Sequence, residues 1–174
     1  RQKAPKCTYT EKIDWEKRRL DLTNLIERHK GRFDYDCIVP FSGGKDSTFT
    51  LWYIVRELGL KPLVVRFDHG FLRPNVRDSS LRTFRRLGVD VIHFIPNWQV
   101  VRKLMFESLA RRGDFCWHCH TGIFSYPMWV AIQQNIPLIF WGEPGAEYSS
   151  YYSYGDVEES NQERFDRKIN LGIN

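Results

Sequence analysis

The strongest constraint on the fold is a short apolar run that enters two adjacent glycines and leaves as a helix. The run spans residues 36–41 and is followed by Ser-Gly-Gly-Lys-Asp-Ser at 42–47. Apolar residues then recur with helical spacing from Asp46 to Leu58. A strand, a glycine turn and a helix N-terminus together present backbone N–H groups that can hold an anion. The stretch therefore predicts a phosphate-binding loop in an α/β fold.

The side chains of this loop suit the same purpose. Its glycines permit close backbone approach, its serines supply hydroxyl donors, and Lys45 adds a mobile positive charge. Asp46 is a carboxylate of the kind that holds Mg²⁺ between phosphates. The alternative is a glycine turn that only links a strand to a helix.

The residue order differs from the Walker loop, which has four residues between its first glycine and Gly-Lys-Ser/Thr. It resembles instead the PP-loop of the N-type ATP pyrophosphatases, which have an adenine nucleotide alpha hydrolase-like fold. The resemblance implies ATP binding, release of pyrophosphate and transfer of AMP to a substrate oxygen. The implied ATP-binding residues are Ser42, Gly43, Gly44, Lys45, Asp46 and Ser47. Lys45 and Asp46 are also predicted to be catalytic, the latter with Mg²⁺.

Apolar runs and helical patterns alternate along the chain. The predicted strands are 36–41, 62–67, 89–95 and 136–141, and the helices are 14–30, 46–58, 74–87, 96–112 and 123–134. Such alternation predicts a doubly wound parallel sheet with right-handed crossovers. We expect three parts: an N-terminal segment and helix (1–35), the PP-loop domain (36–147), and a Tyr-rich, acidic tail or lid (148–174).

Polar residues follow two of these strands where parallel strands end at a common edge. Asp68 and His69 follow the second strand, and Gly142 and Glu143 follow the fourth. Asp68 is predicted to contact a ribose hydroxyl or a metal, with a turn-capping role as the alternative. Gly142 is predicted to bind ATP, Glu143 to act in catalysis and His69 to contact substrate.

The sequence Cys-Trp-His-Cys-His at 116–120 combines a C-x-x-C pair with two histidines. A closed zinc site requires four nitrogen or sulfur ligands, so Cys7 or a histidine would have to join Cys116 and Cys119. The pair could equally serve redox or sulfur chemistry, or line the cleft. His120 is predicted to contact substrate.

Composition narrows the setting. The formal charge of +5 and a pI near 9.1 permit nucleic-acid binding. The basic clusters, however, fall on predicted helices, where they are expected to form solvated faces. Nucleic acid is therefore not the expected partner. Four cysteines without a secretory signal indicate a reducing compartment, so a cytoplasmic protein is expected. No apolar run reaches membrane-spanning length, and since the chain starts at Arg1 we expect an N-terminal piece to be missing.

Several further motifs, which occur in order along the chain, make the family resemblance more specific. They are Ile-Asp-Trp at 13–15, Asp-Cys-Ile-Val-Pro at 36–40 with the loop, Phe-Asp-His-Gly at 67–70, the segment 113–120, and 136–143. Together they resemble the N-acetyl sugar amidotransferases of bacterial surface-polysaccharide (lipopolysaccharide O-antigen) synthesis. That family implies conversion of a sugar N-acetyl group to an acetamidino group, and a glutaminase partner that delivers ammonia. Family members are usually longer at both ends, with an N-terminal zinc segment of which only Cys7 is present.

The implied chemistry is coherent. An amide oxygen is a poor leaving group, so its adenylation by ATP would allow ammonia to displace it as AMP. A tRNA sulfurtransferase, with Cys116 or Cys119 carrying sulfur, is the second interpretation. A module that binds ATP without turnover is the third.

Overall fold

The structure, a computed structural model, describes residues 14–142. Within that range five helices and three strands alternate: α1 (Trp15–His29), β1 (Cys37–Pro40), α2 (Lys45–Arg56), β2 (Pro62–Phe67), α3 (Pro74–Leu87), β3 (Asp90–Phe94), α4 (Trp98–Arg112) and α5 (Trp117–Gln133). The strands form one parallel sheet in the order β1-β2-β3. The predicted parallel α/β architecture is confirmed.

The sheet is covered on both faces because side chains alternate along each strand. On one face Cys37 and Val39 pack with Leu51 and Ile54 of α2 and Phe84 of α3. On the other face, the side chains that pack together with α5 are Ile38, Leu63, Val65 and Val130. Burial of these two apolar layers accounts for the doubly wound arrangement that the sequence predicted.

The predicted fourth strand lies beside β1, but it pairs through a single parallel bridge between Ile38 and Ile139. The Ile38 N–H donates to the Leu138 carbonyl at 2.8 Å, and the Phe140 N–H donates to the Ile38 carbonyl at 2.9 Å. The ladder does not continue in this pattern because Pro40 of β1 has no N–H to donate to the Phe140 carbonyl, and at the other end the Ile136 N–H donates to the Ala131 carbonyl at the end of α5. The segment still ends next to the start of α2.

Helix ends follow local signals. Asp14 caps α1 by accepting from the Lys17 N–H at 2.9 Å. Gly88 and Gly113 end α3 and α4 in the left-handed conformation. These predicted boundaries are confirmed. None of the helices in residues 14–142 combines the length and apolarity that a bilayer span requires.

Helix α5 begins at Trp117, earlier than the predicted start at Ile123. Asp114 Oδ1 accepts from the Cys116 N–H at 2.8 Å, and this turn leads directly into the helix. The predicted start of the helix was wrong because the turn that opens α5 is set by Asp114, two residues before the N-cap Cys116. The C-x-x-C pair therefore lies at the start of a helix and not in a loop.

Helical spacing of apolar residues predicts a core-facing stripe that includes Trp15 on α1 and another with Trp98, Val101 and Leu109 on α4, and both predictions are wrong. Helix α1 has no buried residue, and Trp15 is 62% exposed. On α4 only Val101 of the predicted inner face is buried, whereas Trp98 is 50% and Leu109 51% exposed. The reason is that α4 packs against α5, which itself covers the sheet.

The division into 1–35, 36–147 and 148–174 stays a prediction, since its last boundary falls outside the described residues.

Candidate functional site

The predicted loop joins β1 to α2 in the form that holds anions. Gly43 has φ +91°, which only glycine adopts without strain. Gly44 then caps α2 in an extended conformation, with no side-chain hydrogen bond to the helix. The first N–H groups of a helix have no partner within it. Those of α2 are therefore available to a ligand.

Hydroxyl groups fix the loop from within. The Ser42 and Ser47 hydroxyls lie 3.1 Å apart, and the Gly44 N–H donates to Ser42 Oγ at 3.3 Å. Thr48 Oγ1 donates to the Gly44 carbonyl at 2.7 Å. Ser47 is buried and Ser42 is exposed. The loop is thus held in shape before any anion binds.

The two charged residues of the loop reach into solvent. The side chains of Lys45 and Asp46 are 91% and 53% exposed, with Lys45 Nζ 3.7 Å from Asp46 Oδ1. An exposed pair of this kind contributes little to stability, so both groups can turn toward a ligand. One carboxylate beside a phosphate site also suits Mg²⁺, which binds through few protein ligands together with phosphate oxygens.

Gly142, which follows the predicted fourth strand, lies against this loop. A Cβ built on Gly142 would be 3.1 Å from both the N and the Cα of Ser47, and 3.3 Å from the carbonyl carbon of Asp46. The structure therefore brings together Gly142 and the first turn of α2, as the common strand edge predicted. Glu143, predicted to be catalytic, lies outside the described residues.

A cavity of about 860 Å³ opens beside the loop, a volume typical of small-molecule sites. It runs from Gly43 and Lys45 between α2 and α3. The side chains that line it farther along are Phe49, Trp52, Arg56, Thr83, Arg86 and Leu87. The cavity thus has the glycine loop and the start of α2 at one end, with aromatic and cationic side chains along its walls.

Asp68 is buried and both its oxygens have partners. Oδ1 accepts from the Gly70 N–H at 2.9 Å, and Oδ2 accepts from Arg77 Nη2 at 3.0 Å and lies 3.6 Å from His93 Nε2. Burial favours a raised pKa, but the Gly70 hydrogen bond and the charges of Arg77 and His93 outweigh it, so the pKa of Asp68 is lowered. In this arrangement Asp68 orders the β2–α3 connection. Its contact with ribose stays a prediction.

Arg66 was not singled out from the sequence, although it lies at the centre of this region. Only 3% of the residue is exposed, and its Nη2 has no hydrogen-bond partner in the described part of the chain. Nη2 lies 3.7 Å from the position of a Cβ on Gly43. An arginine within the apolar run Pro-Leu-Val-Val-Arg-Phe was the signal that could have identified it.

His69 lies in an aromatic cluster at the end of β2. Its Nδ1 accepts from the Phe71 N–H at 3.2 Å, and its ring stacks on Phe71. His118 is buried, with Nε2 3.5 Å from the His69 carbonyl and with no partner for Nδ1 in residues 14–142. Burial lowers the pKa of His69, with Asp68 opposing this. The predicted substrate role of His69 stays a prediction.

The side chains of the C-x-x-C segment do not form a single ligand set. Cys116 caps α5, His118 is buried and His120 is exposed. Burial, Cys116 and Asp114 raise the pKa of Cys119 to about 11. Across residues 14–142 no three side chains of His, Cys, Asp or Glu are grouped to hold a metal ion. The described donors thus do not complete a zinc site, and Cys7 lies outside the described range. A contact between His120 and substrate stays a prediction.

Comparisons of sequence identify two distant relatives. Over 80 residues the chain is 29% identical to an uncharacterized protein of Methanocaldococcus jannaschii, a match covering 46% of this chain and 27% of that protein. Over 84 residues it is 27% identical to the glutamine-hydrolyzing GMP synthase of Pyrobaculum aerophilum, covering 48% of this chain and 17% of the synthase. No protein-family profile matches the chain.

Among solved structures, the NH3-dependent NAD synthetase of Campylobacter jejuni superposes with a TM-score of 0.58 at 15% identity. The match covers 80% of this chain and 61% of the synthetase, so in each of these comparisons less than two thirds of the known protein is matched. The fold is that of the NAD synthetase. Together with the GMP synthase match, it points to the PP-loop ATP pyrophosphatase superfamily, as the loop sequence predicted.

Proposed function

We propose that this chain is the ATP-activating part of an amidotransferase that acts on an N-acetylated sugar. The observation that supports it best is the start of α2 behind two glycines, where no side chain caps the first N–H groups and Gly142 packs on the same turn. The names of the GMP synthase and the NAD synthetase also associate this fold with glutamine or ammonia as nitrogen source. The sugar itself is proposed from the sequence resemblance.

Each group of the loop has a defined task in this reaction. ATP would bind with its β- and γ-phosphates on the N–H groups of residues 45–47, while Lys45 neutralises their charge. Asp46 would hold Mg²⁺, which stabilises the negative charge that develops on the departing pyrophosphate. The amide oxygen of the N-acetyl group attacks the α-phosphorus, and the bond from that phosphorus to the β-phosphate bridging oxygen breaks. An O-adenylated imidate and pyrophosphate result.

Ammonia completes the reaction. It attacks the activated imidate carbon and loses a proton, and AMP leaves with the former amide oxygen. Free ammonia is mostly protonated at neutral pH, so a glutaminase subunit that delivers it directly is the proposed partner. Glu143 is proposed to assist near the α-phosphate, because it follows Gly142 in the chain.

The decisive experiment measures AMP and pyrophosphate release from ATP and Mg²⁺ with an N-acetylated nucleotide-sugar and ammonium chloride. We expect sugar-dependent AMP and a sugar product whose mass falls by the difference between O and NH. The parallel reaction contains bulk tRNA instead of sugar. AMP formed only with tRNA would replace the proposal with RNA thiolation, and ATP binding without AMP in either reaction would indicate a nucleotide sensor.

A further inference from the structure

Arg66 is a charged residue in the middle of a parallel sheet. It lies on β2, which pairs with β1 on one side and β3 on the other. The residue is 3% exposed, and its Nη2 has no hydrogen-bond partner in residues 14–142. A buried ionic donor without a partner is energetically unfavourable, and folded proteins rarely retain one without a reason.

The location of this guanidinium suggests the reason. Nη2 lies 3.7 Å from the Cβ position of Gly43, and the same position is 2.8 Å from Val76 Cγ1 and 3.2 Å from Ser80 Oγ. Arg66 is therefore enclosed between the loop and the first turns of α3. Because Gly43 has no side chain, residue 43 places nothing beyond its backbone between the loop and Nη2.

Among residues 14–142, the neighbouring charges leave Arg66 without a dedicated counterion. Asp68 is the nearby carboxylate, but its oxygens are engaged by the Gly70 N–H and by Arg77. Burial lowers the pKa of Arg66, Asp68 opposes this shift, and Arg77 adds to it. Two guanidinium groups thus share one carboxylate beside the anion-binding loop.

We propose that Arg66 is a pyrophosphate-binding residue that donates from Nη2 to a phosphate oxygen seated on the loop N–H groups. It neutralises the anion from the sheet side, while Lys45 does so from the solvent side. A guanidinium suits this position better than an ammonium, because it is less strongly hydrated and donates in a fixed plane. The inference rests on the proposed function only in taking the loop to bind pyrophosphate.

Calorimetric titration of the chain with magnesium pyrophosphate tests it. We expect Arg66→Met to weaken binding about 10- to 100-fold, the effect of one lost charge-assisted hydrogen bond. Arg66→Lys should retain part of the affinity. The matched control is Arg82→Met, which removes an exposed arginine on α3 and should change the affinity less than about twofold.

Thermal unfolding separates this role from a structural one. Without pyrophosphate, Arg66→Met should unfold at the same temperature as the wild type or higher, because it removes a buried charge that lacks a counterion. With saturating pyrophosphate the wild type should gain more stability than the variant. A variant that is less stable without ligand but binds as tightly as the wild type would overturn the inference.

A second measurement uses the wild-type chain alone, so it does not depend on whether a variant folds. The side-chain ¹⁵N resonances of Arg66 in the wild type should shift as pyrophosphate is added, and their constancy at saturation would overturn the inference. A wild-type chain that binds no pyrophosphate would overturn both proposals. Pyrophosphate binding through Arg66, with no AMP from any N-acetylated sugar, would leave the inference standing and remove the proposed function alone.

Discussion

Gly142 lies directly against Ser47, so close that a Cβ on Gly142 would be 3.1 Å from both the N and the Cα of Ser47. This contact joins the segment after α5 to the first turn of α2. The Ser47 N–H belongs to the set that is proposed to hold phosphate. Any atom added at position 142 therefore occupies the space in front of that donor.

Gly142→Ala should weaken pyrophosphate binding about tenfold or more, since the methyl group displaces the first turn of α2. The free energy of unfolding should fall by about 1–3 kcal/mol, because the new Cβ meets backbone atoms that must move, although Gly142 does not have a left-handed φ. The control is Gly88→Ala, at φ +69° and with no atom within 4 Å of the new Cβ. That variant should lose about 1–2 kcal/mol of stability and keep its affinity. Equal affinities of Gly142→Ala and the wild type would contradict the prediction.

The adjacent loop glycines should respond differently to alanine. Gly43 has φ +91°, and a Cβ there would meet Val76 Cγ1 at 2.8 Å, so Gly43→Ala should cost about 2–4 kcal/mol of unfolding free energy. Gly44 has φ −77°, and its Cβ would meet only Ser42 Oγ at 3.5 Å. Gly44→Ala should therefore cost about 1 kcal/mol or less. Urea unfolding of the two variants checks this order, and a reversed order would contradict the loop geometry.

Asp46→Asn should abolish Mg²⁺-dependent pyrophosphate release while the fold is retained. The side chain is 53% exposed, and within residues 14–142 its ionic contact is with Lys45, whose Nζ lies 3.7 Å from Asp46 Oδ1. We therefore expect a stability change within about 0.5 kcal/mol. Asp21→Asn on α1, also exposed, is the control for loss of one carboxylate. Unchanged AMP formation by Asp46→Asn over a Mg²⁺ titration would exclude the metal-binding role.

His93 should make stability depend on pH. Burial and the charges of Arg66 and Arg77 outweigh Asp68 and place the pKa of His93 below its ordinary value of 6.5. The unfolded chain then binds more protons than the folded chain, so the free energy of unfolding should fall as pH drops below 6.5. His93→Gln should reduce this slope, by at most about 1.4 kcal/mol per pH unit. Urea unfolding from pH 7.5 to pH 5 tests it, and identical slopes would refute it.

Cys119 should behave as a thiol and not as a thiolate. Its pKa is raised from the ordinary 9.0 to about 11, so alkylation by iodoacetamide at pH 7.5 should be at least about tenfold slower than in the corresponding free peptide. Peptide mapping by mass spectrometry separates it from Cys37, which is fully buried. Cys119→Ser should keep sugar-dependent AMP release. Rapid alkylation together with loss of activity would favour sulfur transfer.

Features that depend only on residues adjacent in the sequence could be predicted. The loop at 42–47 carries its own signals in Gly43, Gly44 and Lys45, and α3 and α4 end at glycines as expected. The apolar run around Arg66 indicates burial, but its position beside Gly43 could not be predicted, because that depends on how β2 pairs with β1. The same limit explains Trp98: a helical apolar stripe does not reveal whether its helix meets the sheet or another helix.

The single bridge between Ile38 and Ile139 has a consequence for the order in which the protein folds. The loop is synthesised before Gly142, which packs on it and follows only after α3, β3, α4 and α5. Pairing of such distant segments is slow to form, since a long stretch of chain must first be ordered. The contact between Gly142 and the loop is therefore completed late in folding, and a nascent chain that stops before Gly142 carries the loop without the residue that packs against it.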